Sequence, residues 1–144
     1  MKISFPDSFV STNSFLSLCN LVKDYGYNGV EICNIENERK MHQDSLFRSS
    51  YTADAKRKLV NRHISISAIS YPFFIDENLD EELFKSYVDY AINASIERVI
   101  IKFNKYFSVD TLKDILASVV TYCEQNNVSL LRSSSSKFSS IKNG

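Results

Sequence analysis

Hydrophobic positions follow two spacings along the chain, one typical of short strands and the other of amphipathic helices. Short runs rich in β-branched residues predict five strands, at residues 3–5, 30–33, 64–70, 99–103 and 128–131. Between them, apolar residues recur at i, i+3, i+4 and i+7, the pattern of a helix with one buried face. These helical stretches cover residues 15–25, 52–62, 80–92 and 112–123. The pattern predicts an α/β chain of alternating βα units.

Local signals predict where several elements begin and end. Gly26 suits the left-handed position after the first helix, and Thr52 and Asp80 are candidate N-caps. Pro72 is expected to end the third strand, because proline cannot donate a hydrogen bond to a sheet. The polar stretch over residues 34–50 is too long for a simple connection. It is expected to be a functional loop or to contain a short helix.

The predicted strands begin about 31 residues apart on average, which is the length of one unit in a (β/α)₈ barrel of ~250 residues. Residues 1–131 would then form about four and a half units, the N-terminal half of a TIM barrel. An open, doubly wound sheet of the flavodoxin-like kind fits the same spacing. Residues 132–144 contain six serines and no acid, and are predicted to be a loop or disordered tail.

Composition and charge exclude several classes of protein. The 144 residues carry 17 basic and 17 acidic side chains, and this balance argues against a nucleic-acid binder or a protein of anionic membranes. No apolar run is long enough to span a membrane, and the first residues lack the apolar core of a signal peptide. Cys19, Cys33 and Cys123 have no metal-binding spacing. We expect a cytoplasmic protein with reduced thiols.

Five segments together carry a resemblance to a known family. They read KISF, DYGYNGVEI, ISISAIS, YAINASIERVII and NNVSLL, beginning at residues 2, 24, 64, 90 and 126. In this order they resemble the N-terminal half of the sugar phosphate isomerase/epimerase family, the xylose isomerase-like TIM barrels. The resemblance covers residues 1–131, and its best single motif is the GYNGVEI of the second strand.

The resemblance implies an isomerase or epimerase of carbohydrate metabolism, acting on a sugar or sugar phosphate. Family members use a divalent metal, Mn²⁺, Mg²⁺, Co²⁺ or Zn²⁺, which polarises the sugar oxygens. Its ligands come from strands five to eight. Here Arg132 and Ser133 follow the fifth strand, and no acid follows Glu124. We therefore expect no metal on this chain alone, and a truncated half that is inactive by itself.

Alternation along the strands predicts which side chains face the barrel interior. In the second strand this is Glu31, and in the fourth it is Lys102, followed by Asn104. They are candidates for binding substrate hydroxyls, and Glu31 is a weak catalytic candidate. The alternative is a structural ion pair between Glu31 and Lys102, because an unpaired buried charge is costly.

Three further groups are weaker candidates. His42 is a possible general base, although an exposed loop histidine is the plainer interpretation. Tyr71 is a candidate substrate-binding residue that would form an apolar wall for a sugar ring with its aromatic neighbours at the strand ends, or else pack in the core. Asp7 and Ser8 follow the first strand at the same rim and could bind a polyol. The neighbours of Tyr71 are Phe73, Phe74 and Phe103.

A second function remains open, that of a non-catalytic half barrel. Half a barrel leaves its first and fifth strands with unpaired edges, and such edges invite pairing. Two copies would then associate as a homodimer with two-fold symmetry. A flavodoxin-like binding domain is a third possibility, but it needs an anion site after the first strand, where the sequence reads FPDS.

Overall fold

The computed structural model describes residues 4–133, which contain a sheet of five parallel strands. The strands lie side by side in the order in which they occur along the chain. A doubly wound sheet reverses its order at a switch point, whereas this sheet has no reversal. The partial barrel is therefore confirmed, and the flavodoxin-like arrangement is wrong. The strands are β1 (Ser4–Pro6), β2 (Gly29–Ile32), β3 (Ser65–Phe74), β4 (Arg98–Lys102) and β5 (Ser129–Arg132).

Five α-helices connect the strands, and the polar stretch after β2 contains one of them. Asp80 caps its helix, as predicted, by accepting a hydrogen bond from the Leu83 N–H. Gly26 has a φ of 79°, the left-handed conformation expected after the first helix. Thr52 is not a cap, because it is the first helical residue and Tyr51 precedes it. The helices are α1 (Phe15–Asp24), α2 (Ile35–Met41), α3 (Thr52–Asn61), α4 (Glu81–Asn93) and α5 (Val109–Gln125).

One hydrophobic core lies between the sheet and its helices. In β2, Val30 and Ile32 are buried in this core while Glu31 between them is only partly buried. In β4, Val99 and Ile101 are buried in the same way. The alternating residues therefore lie on the opposite face, which corresponds to the interior of a barrel.

The prediction that Pro72 ends the third strand is wrong. β3 continues to Phe74, and its register against β4 shifts between Ser70 and Phe74. A proline is tolerated in a strand at such an irregularity, because no ladder hydrogen bond is required from it there. The irregularity lies at the carboxyl end of β3.

The remaining predictions concern the chain ends and the thiols. Arg132 belongs to β5 and pairs with Ile101, so the predicted tail begins too early. Residue 3 and residues 134–144 lie outside the described residues. None of the helices over residues 4–133 is long and apolar enough to cross a membrane. All three cysteines are free, and Cys33 is the one that is partly exposed.

Candidate functional site

The interior face of the sheet carries Glu31 and Lys102, as the alternation predicts. Both side chains are partly exposed, and both lie near the carboxyl ends of their strands. Asn104 follows β4 in an exposed loop. Because active sites of barrels are built at the carboxyl ends of the strands, this face is the first candidate site.

The expected ion pair between Glu31 and Lys102 is not among the ion pairs over residues 4–133. The two residues lie on strands that are two apart in the sheet, a separation of roughly 9–10 Å between backbones. The Lys102 ammonium instead lies 5.1 Å from the ring centroid of Phe74. The alternative, a structural ion pair between these two residues, is therefore not formed over residues 4–133.

Asp7 adds a second carboxylate beside Glu31. Burial raises the pKa of Glu31, and the nearby charge of Asp7 raises it further. Burial also raises the pKa of Asp7, against the lowering effect of the Cys33 N–H, which donates to its Oδ1 at 2.8 Å. Two partly buried carboxyl groups at the rim are strong acceptors for hydroxyl donors.

His42 is buried, so the interpretation as an exposed loop histidine is wrong. It directly follows α2 and lies one helical turn after Glu38, on the same face. Its Nδ1 is 2.5 Å from the Glu38 Oε1, and the hydroxyl of buried Ser45 donates to the other oxygen of Glu38. Its Nε2 is 2.7 Å from the Thr12 hydroxyl and 3.0 Å from the Thr12 carbonyl oxygen.

Asp44, two residues after His42, has a structural role. Its oxygens accept from the Phe15 and Leu16 N–H groups at 2.7 and 3.1 Å, which caps the start of α1. Burial is the largest influence and raises its pKa, but these backbone hydrogen bonds and the charge of Lys58 lower it on balance. The segment after α2 is therefore anchored through His42 to the loop before α1 and through Asp44 to the start of α1.

A pocket of about 230 Å³ opens beside the His42 network. It lies between the loop after β1, the end of β2 and α2. Asp7, Ser8, Thr12 and Asn37 contribute polar groups, and an apolar wall completes it. The wall is formed by Val10, Leu18 and Met41.

The structure does not bring Tyr71 to either site. Its side chain is 2% exposed and packs against Phe84 and Tyr87 of α4, with centroid distances of 4.7 and 5.5 Å. Core packing, the alternative for this residue, is what the structure shows. Phe73 and Phe74 are by contrast about half exposed at the end of β3.

A metal centre needs several convergent ligands. Over residues 4–133, no three His, Cys, Asp or Glu side chains lie close enough together to hold an ion. The residues that the structure describes therefore do not fit the divalent metal that the resemblance implies.

Comparison with solved structures identifies the architecture. Over 92% of its length the chain matches a structure of the IolI protein with a bound zinc atom, at a TM-score of 0.68 and 20% identity. Over 90% of its length it also matches a xylose isomerase domain-containing protein from Salmonella typhimurium, at a TM-score of 0.67 and 14% identity. The fold is half of a xylose isomerase-like TIM barrel. A sugar phosphate isomerase/epimerase from Parabacteroides distasonis matches this half barrel over 91% of the chain, at a TM-score of 0.62 and 12% identity.

The half barrel spans about half the length of these proteins, 51%, 47% and 50% respectively. No protein-family profile matches the sequence. No curated protein matches it by sequence either. At these identities the likeness establishes the fold, and the function rests on the site itself.

Proposed function

We propose that this half barrel binds a sugar or sugar phosphate at its interior face and contributes to isomerisation or epimerisation of that ligand. The observation that carries the proposal is the pair of opposite charges, Glu31 and Lys102, which share this face without neutralising each other. A carboxylate accepts from sugar hydroxyls, and an ammonium group donates to hydroxyl or phosphate oxygens. Asn104 in the loop after β4 supplies a further amide.

We propose that turnover requires groups beyond those described here. In the related fold, the metal-binding strands are the fifth to eighth. The described part of β5 ends in Leu131 and Arg132, and neither side chain is a metal ligand of the required kind. Residues 1–131 would therefore supply part of the ligand contacts and no complete reaction centre.

Binding without turnover is the first prediction. Titrating the 144-residue chain with a ketohexose and its 6-phosphate should give measurable heat, and Glu31→Gln should weaken binding about tenfold, the worth of one charge-assisted hydrogen bond. Adding Mn²⁺ or Mg²⁺ should produce no isomer detectable by NMR. Calorimetry measures the binding and NMR measures the turnover, on one protein preparation.

Glu97→Gln is the matched control for this binding experiment. Glu97 is exposed and directly precedes β4, at the amino end of the strands. The Glu97→Gln variant should therefore bind the ligand as tightly as the wild type. If Glu31→Gln and the wild type bound the ligand with equal affinity, Glu31 would not be part of the binding site. Turnover by the metal-loaded chain would show that the chain is active alone.

We propose self-association as a second function, because β1 and β5 each have a single neighbour in the described sheet. The side chain of Leu131 on β5 is 42% exposed, at the edge of the sheet that β5 forms. Unpaired strands with exposed apolar side chains favour pairing with another chain. The zero net charge provides no repulsion against it.

Light scattering coupled to size exclusion should therefore detect a dimer whose fraction rises with protein concentration. Leu131→Lys should raise the dimer dissociation constant about tenfold or more, because a lysine on an edge strand opposes pairing. Val60→Lys, on an exposed position of α3, is the control and should leave the dimer intact. A monomer at all concentrations would reject this function.

A further inference from the structure

The Thr12, His42 and Glu38 side chains form a hydrogen-bonded chain that the proposed sugar site does not use. Glu38 lies on α2, His42 follows that helix one turn later, and Thr12 approaches from the loop between β1 and α1. We propose that Thr12 is an activated nucleophile, with His42 as its base and Glu38 as the residue that orients His42. The activity would be transfer of a small acyl group from an ester, and it is independent of the proposed sugar binding.

The geometry matches the requirements of an activated hydroxyl. A nucleophile and its base lie within about 2.6–3.2 Å of each other, and a third group orients the base. Here the Thr12 Oγ1 lies 2.7 Å from the His42 Nε2. In the tautomer that the proposal requires, Nδ1 carries the proton and donates it to the Glu38 carboxylate at 2.5 Å, so the lone pair of Nε2 faces the Thr12 hydroxyl. Ser45 donates to the same carboxylate and fixes its orientation.

The reaction balances with water as the only co-reactant. The Thr12 Oγ1 attacks the ester carbonyl carbon, and its proton passes to the His42 Nε2. The Thr12 carbonyl oxygen, 3.0 Å from that nitrogen, stabilises the protonated ring. The tetrahedral intermediate then expels the alkoxide, which takes the proton from His42 and leaves as the alcohol. Water hydrolyses the acyl-threonine by the same route and releases the carboxylic acid.

The pocket defines the chemical class of the acyl group. Its volume of about 230 Å³ and its wall of Val10, Leu18 and Met41 suit an acyl chain of a few carbons. Asn37 lines the same pocket and can donate its side-chain amide to the carbonyl oxygen as negative charge develops there. An acetyl ester therefore fits the site.

The test uses p-nitrophenyl acetate with the 144-residue chain. We expect a burst of p-nitrophenolate close to one equivalent, and peptide mapping of the quenched protein should place an acetyl group on Thr12. Thr12→Ser should retain the burst, whereas Thr12→Val should reduce its rate at least 100-fold. His42→Asn should reduce it similarly. Thr121→Val on α5 and His63→Asn are the matched controls and should react like the wild type.

Mapping on the wild type keeps the test independent of whether the variants fold. The exposed His63 has a left-handed φ of 55°, which asparagine tolerates, so its control substitution should fold. Acetylation confined to lysines, to Cys33 or to the amino terminus would overturn the proposal. An unchanged burst in a folded Thr12→Val protein would do the same.

Discussion

Truncating Phe84 to alanine should lower the free energy of unfolding by about 3–5 kcal/mol, the usual cost of removing a buried phenylalanine. Phe84 lies on α4, is fully buried, and packs against Tyr71 of β3. Its loss would leave a cavity between the helix layer and the sheet. Urea denaturation at pH 7 measures the change, which should appear as a lower midpoint with an unchanged slope.

Phe73→Ala is the control for this experiment. Its ring also contacts Tyr71, at a centroid distance of 5.8 Å, but the side chain is 55% exposed. Removing it should cost less than about 1 kcal/mol. A similar small loss for Phe84→Ala would mean that α4 does not pack on β3 as the structure shows.

The hydrophobic periodicity was sufficient to predict the strands and the longer helices to within a few residues. Alternation also placed Glu31 and Lys102 on the interior face. It could not predict the strand order, because a barrel and an open sheet bury the same faces of the same elements. Nor could it predict the distance between the two charges, which depends on how many strands separate them.

The His42 network could not be predicted for a different reason. α2 has seven residues and lies in a polar stretch, so it leaves little apolar periodicity. The four-residue spacing of Glu38 and His42 brings their side chains together only if this segment is helical, which the sequence did not predict with certainty. Thr12 is 30 residues away in sequence, and only the packing of the loop after β1 brings it to His42.

The extended β3 illustrates how a local rule can fail. A proline breaks a strand when its neighbour requires a hydrogen bond from it. Here the register shift against β4 removes that requirement at Pro72. Tyr71 lies in this continuation of β3 and packs in the core against Phe84 of α4, away from the sugar site.

Replacing Glu38 by alanine should lower the free energy of unfolding by about 3–5 kcal/mol. The substitution leaves the Nδ1–H of His42 and the hydroxyl of Ser45 buried without their acceptor, and each costs about 1–3 kcal/mol. Glu38→Gln should cost less, about 1 kcal/mol, because the amide oxygen can still accept from His42 and its NH₂ can donate to a rotated Ser45 hydroxyl. Glu36→Ala, exposed on the same helix, should change stability by less than about 0.5 kcal/mol.

The pH dependence of unfolding separates the charge of Glu38 from its hydrogen bonds. Burial raises the pKa of Glu38 above 4.5, against the lowering effects of Ser45 and His42. The folded state therefore keeps this proton at a pH where the unfolded chain has lost it, and stability should fall as the pH rises from 4.5 through the folded pKa. Glu38→Gln should show a smaller decline, since glutamine does not titrate, whereas Asp7 and Glu31, whose pKa values are also raised, still contribute theirs. A wild type and a Glu38→Gln variant with parallel profiles would contradict the raised pKa. A Glu38→Ala protein as stable as the wild type would instead contradict the buried network.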